Sequence, residues 1–172
     1  MLKPAQLYRE QLAKKEWETM YDMDYIYFHS WTGGRITPLD DDNYQVHRFV
    51  SVDENDNVIG YIGYCVDSPA LSVDRFGMMS FDKGNMLFIK DLYQAVYDIF
   101  YKYNYQRLEW NCIADNPAIR GYRNFIKRVG GRECGYRRNV TMLLDHKLHD
   151  DVMFEILKEE FKPIRRGKEK DV

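Results

Sequence analysis

Glu109 stands in the run Arg107–Ala114, where Leu108, Trp110, Cys112 and Ala114 alternate with Glu109, Asn111 and Ile113. A carboxylate held mid-strand on a half-buried sheet loses water, which raises its pKa and suits it to general-base work. A solvent-facing strand residue is the plainer reading of the same position. His146, His149, Asp150 and Asp151 are metal ligands by type. They crowd near an expected hairpin turn, where polar residues belong in any case, so no metal is expected. Phe81-Asp82-Lys83-Gly84-Asn85-Met86 interrupts an extended run around a single glycine, and such a glycine ordinarily marks a turn. Cys65, Cys112 and Cys134 are odd in number, widely spaced and free of any CxxC pattern. Each lies in an apolar, strand-like run, which predicts reduced core thiols in a cytoplasmic protein. None has a nucleophile-like setting, so a covalent intermediate is disfavoured.

These residues need a scaffold, and the composition supplies one. The chain has 172 residues, 45% of them hydrophobic and 30% charged, with 5 Pro and 11 Gly. That fits one domain over 1–172 with a real core and excludes a disordered or collagen-like chain. A chain this long buries roughly 70% of its unfolded surface. The formal net charge is −2, which argues against binding nucleic acid by phosphate neutralisation. The longest apolar run, Val58 to Val66, falls far short of the ~20 residues a membrane helix needs. The first residues lack a signal-peptide core, and a cytoplasmic location is expected.

The pattern predicts the order helix, helix, strand, strand, strand, helix, strand, helix, strand, strand. Residues 4 to 31 read as helical, with Tyr8, Leu12, Trp17, Met20, Tyr21 and Phe28 near three- and four-residue spacing. Residues 32–43 form a loop. Val46–Val52 and Val58–Val66 make a hairpin around Asp53–Asn57, and Val73–Phe81 is a third strand. A helix follows from Met86 to Tyr103, with Ile89, Leu92, Tyr93, Val96 and Phe100 along its apolar face. After the strand Arg107–Ala114, Asn116 caps a helix with Pro117 at its first position, and Gly130-Gly131 ends it. A closing hairpin pairs Val140–Leu144 with Val152–Ile156, and residues 163–172 are a frayed polar tail. The strand–helix–strand unit predicts one parallel pair inside an otherwise antiparallel sheet, a mixed α/β (α+β) fold with helices on both faces. The strand Val152–Leu157 is a candidate edge for a homodimer.

The element order, with Ile113-Ala114-Asp115-Asn116-Pro117-Ala118-Ile119-Arg120-Gly121-Tyr122 and the closing Gly130-Gly131-Arg132-Glu133-Cys134-Gly135-Tyr136, resembles the GNAT N-acetyltransferase superfamily. The resemblance runs from about Val46 to Phe161. It is nearest the branch of ribosomal-protein N-terminal acetyltransferases and GNAT-like proteins of bacteria and phages. It implies a sheet that splays between Val73–Phe81 and Arg107–Ala114, with acetyl-CoA in the opening. The pantetheine arm would pair with the free backbone of the first strand, at Met79, Ser80 and Phe81. The pyrophosphate would sit on the turn and helix start at Lys83, Gly84, Asn85 and Met86, because a helix N-terminus offers unpaired N–H groups and partial positive charge. The family's pattern there is Arg or Gln, two residues, Gly, one residue, then Gly or Ala. This chain keeps only Gly84; Phe81 and Met86 stand in the other slots, and Lys83 offers a phosphate contact the family does not require.

The resemblance further implies that Asn116 contacts the cofactor arm near the thioester, compatibly with its capping role. It makes Tyr122 the candidate acid for the departing thiolate. Counted back from Gly130-Gly131, the family's aromatic slot falls instead at Ile126, so the helix carries about an extra turn; Tyr122 as a core aromatic is the alternative. Glu109 becomes the candidate base, and water is the other taker of the amine proton. The aromatic and acidic stretch Tyr21–Trp31 would line the acceptor pocket through Tyr25, Phe28 and Trp31, which suits a cationic amine, small molecule or peptide. Aromatics in the core and aspartates on the surface would produce the same pattern. The expected activity is direct acetyl transfer to a primary amine. A catalytically degenerate GNAT-fold protein that binds CoA or a protein partner is one alternative, and an interaction domain with no cofactor is another.

Overall fold

The computed structural model describes residues 1–28, 36–39 and 43–164. One sheet of seven strands organises the chain, in the order β1-β2-β3-β4-β5-β7-β6. Its best-written part is the hairpin of β2 (Val46–Val52) and β3 (Val58–Asp67). Asp53 builds the turn between them: its carboxylate accepts from the backbone N–H of Asn55 and of Asn57. β4 (Ser72–Ser80) continues antiparallel to β3, and β5 (Arg107–Ile113) is parallel to β4. β6 (Arg132–Met142) and β7 (Leu148–Leu157) form the closing hairpin. The mixed, mostly antiparallel sheet with one parallel pair is the expected architecture.

Helices cover both faces. α1 (Arg9–Thr19) packs on one face, where Leu12 joins Val50, Val52 and Val58. α2 (Met86–Tyr101) and α3 (Ile119–Val129) cover the other through Phe88, Ile99, Phe100, Ile126 and Val129. α2 sits so close to β3 that a Cβ on Gly60 would lie 2.3 Å from the Phe88 ring. Its buried stripe therefore begins at Phe88, and Ile89, placed on the buried face by periodicity, is 48% exposed. α2 is apolar on most of its circumference, so periodicity alone cannot fix its rotation. After β7 the chain crosses back over both helices. Lys162 N–H donates to Val129 C=O at 2.6 Å, Phe161 packs on Phe100, and Ile164 N–H donates to the Tyr93 hydroxyl.

Other expectations need correction. Residues 4 to 31 are not one helical stretch: β1 (Leu2–Pro4) pairs with β2, followed by a 3₁₀ turn at Ala5–Tyr8, α1, and a second 3₁₀ segment at Met23–Phe28. Trp17 and Tyr21 face solvent, while Leu12, Glu16 and Thr19 are buried. α3 begins at Ile119 rather than at Pro117. Asn116 instead closes the preceding turn, its side chain accepting from the Ala118 N–H and its carbonyl from the Ile119 N–H. β7 is interior, because it pairs with β5 on one side and β6 on the other, so β6 and not Val152–Leu157 is the edge. Edge position also explains Cys134, which is exposed on β6 rather than a core thiol; Cys65 is half-buried and Cys112 buried. Trp31, with the rest of residues 29–35, residues 40–42 and the tail from 165, lies outside the described residues.

Candidate active site

β4 and β5 pair over only two positions, Ser72 with Arg107 and Val73 with Leu108. Beyond them β4 runs on to Ser80 and β5 to Ile113 with no ladder between them. The cause is local. Opposite a register shift between Gly63 and Cys65 of β3, Arg75 adopts φ 49°, a left-handed conformation that bends β4 at its fourth residue. The result is a V-shaped cleft whose two inner edges present main-chain donors and acceptors. Backbone groups of this kind require partners. On the two strands that border it, two buried side-chain atoms also lack any: Asp74 Oδ1 on β4 and Trp110 Nε1 on β5.

The open end of the V is spanned by Met23–Phe28. The Tyr25 hydroxyl donates to the Phe81 carbonyl at 3.4 Å, and the Tyr27 hydroxyl to the Asp115 carbonyl at 3.1 Å. This segment thus bridges the turn after β4 and the turn after β5. Lys83 strengthens the first contact: its Nζ is 2.8 Å from Asp24 Oδ2 and 4.9 Å from the Tyr25 ring centre. That ion pair holds the Asp24 carboxyl below its ordinary range. Phe28 packs on Tyr25, with ring centres 5.9 Å apart, and is 44% exposed. His149 fastens the other side, with Nδ1 3.2 Å from Asp115 Oδ2 and Nε2 3.1 Å from Asp145.

Tyr122 rises from α3 against the β5 wall. Its ring meets Trp110 edge-on at 6.1 Å and Phe154 at 5.9 Å. Burial pushes its phenol well above the ordinary value, and nearby Cys112 adds to the effect. It is therefore fully protonated at neutral pH, the state a proton donor requires. The same burial pushes the Cys112 thiol up to about 11, so it is no nucleophile.

Glu109 points to the sheet face opposite Trp110. It accepts from Arg107 at 2.5 Å and lies across from Glu155, which Arg132 holds at 2.6 Å. Farther along the same face Asp151, 1% exposed, accepts two bonds from Arg137 and one from Asn111. The structure thus gathers Tyr25, Phe28 and Lys83 at the mouth, Tyr122 on one face of β5 and Glu109 on the other. Met79 and Phe81 turn into the α1 side of the sheet, so their contribution to the cleft is backbone. The Ser80 hydroxyl donates to the Asp82 carbonyl. Met86, 62% exposed, starts α2.

Sequence patterning did not single out Asp74 or the His149–Asp115 link, and it marked Asp151 and His149 only as metal ligands by type, not as the partners of Arg137 and Asp115.

The free strand edges of the cleft are main-chain donors and acceptors of the kind a pantetheine arm would pair with. Among the described residues no group of three or more His, Cys, Asp or Glu is placed to hold a metal, and no helix is long and apolar enough to cross a membrane.

No family model matches the chain, and no curated protein matches it. Solved structures do. Spermidine/spermine N-acetyltransferase SpeG from Vibrio cholerae shares 19% identity at TM-score 0.60, over 69% of this chain and 68% of that one. Ribosomal-protein-S5-alanine acetyltransferase from Vibrio fischeri shares 13% identity at TM-score 0.65, over 95% and 94%. SpeG has also been solved as a dodecamer, matching at TM-score 0.60 over 68% of this chain. What this likeness establishes is the fold.

Proposed function

We propose that this chain, which has the GNAT acetyltransferase fold, is an acetyl-CoA-dependent N-acetyltransferase acting on a primary amine by direct transfer. The observation that carries this reading is the cleft between β4 and β5, with its free main-chain edges and a half-buried tyrosine packed on the β5 side of it. In the reaction the amine nitrogen bonds to the acetyl carbon and the carbon–sulfur bond breaks. The amine proton passes to a base, and the thiolate takes a proton from the Tyr122 hydroxyl. Glu109 is the assigned base, released from Arg107 when the acceptor binds. Asn116, on the turn after β5, is the assigned contact to the donor near its thioester.

The acceptor is a cation. Asp22, Asp24 and Asp115 lie along the segment and turn that close the cleft mouth, and Tyr25 and Phe28 supply aromatic faces for an ammonium group. SpeG acts on spermidine and the V. fischeri protein on a ribosomal protein's alanine; both acceptors are amines, which supports this class for the present chain.

Calorimetric titration of the full chain with acetyl-CoA tests the reading. Micromolar binding, about −8 kcal/mol, is expected, followed by release of free thiol when an amine is added. Absence of binding up to millimolar acetyl-CoA overturns it and leaves a fold without its cofactor. Glu109→Gln is expected to lower kcat at least tenfold with acetyl-CoA affinity intact, and unchanged turnover removes Glu109 from the reaction.

A further inference from the structure

A helix N-terminus leaves its first N–H groups without intrahelical partners, and a phosphate binds there by taking them. At the start of α2 the chain takes two of them itself. Asn85 Oδ1 accepts from the Leu87 N–H at 2.9 Å and the Phe88 N–H at 3.3 Å. Asn85 Nδ2 donates to Asp82 Oδ2 at 2.7 Å, and Asn85 N–H donates to the Asp82 carbonyl. The Asp82 carboxylate therefore stands where an anion would meet the helix, and its charge already complements the helix dipole. The cation of this turn is turned away: Lys83 pairs with Asp24 and lies over Tyr25. A diphosphate arriving here would meet a carboxylate and occupied donors.

The cleft itself is the opposite case. Its strand edges are free, and Asp74 Oδ1 and Trp110 Nε1 are buried without partners. Trp110 lies on the face that α3 covers, and its Nε1 is a donor that suits a carbonyl of a pantetheine arm.

We infer that this protein recognises its acyl donor through the thioester and pantetheine arm held between β4 and β5, and does not read the nucleotide diphosphate, whose place at α2 is filled by the Asp82–Asn85 cap. The inference rests on the acyl-transfer reading above. It assigns Asp82 and Asn85 a specificity role and Trp110 a donor contact.

The test is calorimetry of the full chain with coenzyme A and, separately, with pantetheine, which lacks the nucleotide and its phosphates. Two charge-assisted hydrogen bonds to a diphosphate would ordinarily separate the two ligands by roughly a hundredfold or more. The expected result is a ratio of dissociation constants below about tenfold, with little change in coenzyme A affinity between low and high salt. A ratio above tenfold in favour of coenzyme A overturns the inference and leaves the acyltransferase reading standing. Binding of neither ligand overturns that reading and the inference with it. In the double variant Asp82→Gly, Asn85→Gly the amides of Leu87 and Phe88 are released, and the ratio is expected to shift at least tenfold toward coenzyme A. An unchanged ratio removes the blocking role from this pair. Trp110→Phe keeps the ring and deletes the N–H, and is expected to weaken both ligands equally, by about tenfold. Unequal or absent loss removes Trp110 from the arm's contacts.

Discussion

Tyr122 is packed between two aromatic rings with its phenol protonated, so deleting the hydroxyl changes chemistry more than packing. Tyr122→Phe is expected to lower kcat by about 10²-fold, the scale of general acid catalysis, with acetyl-CoA affinity within threefold of the parent. Steady-state kinetics and calorimetry check the two halves separately. Glu16 makes a second prediction. It is buried on α1, where it accepts from Thr37 N–H at 2.8 Å and also from the Thr37 hydroxyl. Burial raises its pKa above the ordinary value of 4.5, against the lowering effect of the Thr37 bonds. A carboxyl raised on folding favours the folded state below its unfolded pKa, and that contribution is lost as pH rises through the folded value. Glu16→Gln does not titrate, so parent stability relative to this variant is expected to fall between about pH 4 and pH 7. Urea unfolding at the two pH values measures it. Such residues were only partly legible in sequence. Tyr122 and Asn116 stood out by spacing along a motif. Glu16 did not, because a glutamate on a weakly amphipathic helix looks like surface until its burial is seen.

At the scale of elements, legibility followed turn chemistry. The strand β2 has its expected bounds and β3, β4 and β5 lie within a residue of theirs, since Asp, Asn and Gly clusters punctuate them. β1 was illegible because three residues hold no period, and Arg132–Asn139 of β6 because an edge strand exposed on both faces shows no alternation. The splay of β4 from β5 came from resemblance; its cause, the bend at Arg75, is a backbone conformation that residue type does not announce. Two predictions belong here. Gly60→Ala places a methyl 2.3 Å from the Phe88 ring and is expected to cost about 1–3 kcal/mol, read by urea unfolding. His149→Ala cuts the link between the β5–α3 turn and the β6–β7 turn. Amide exchange at Leu143 and His146 is expected to quicken, while that of Phe154 in the sheet interior stays slow.

The whole molecule is two sub-sheets, β1 to β4 and β5-β7-β6, sewn by a two-residue seam and by α2 and α3 laid across one face. A ligand in the seam bridges both halves. Acetyl-CoA at about a hundred times its dissociation constant is expected to add about 2.7 kcal/mol, and so to raise Tm by roughly 5–10 °C in a thermal scan. A Tm unmoved under those conditions means the ligand does not favour the folded state.

The same seam bears on how the chain is born. Its N-terminal meander pairs neighbour with neighbour and is complete once β4 has left the ribosome. β5 emerges next, but its long partner is β7, the last strand of the sheet. Until Leu148–Leu157 is synthesised, β5 has only two residues of β4 to hold, and the crossing segment at Phe161 that ties α2 to α3 does not yet exist. The ligand cleft therefore cannot take shape during most of translation. A nascent chain stalled before β7 carries β5 with an unpaired backbone edge along Arg107–Ile113, a natural target for chaperones.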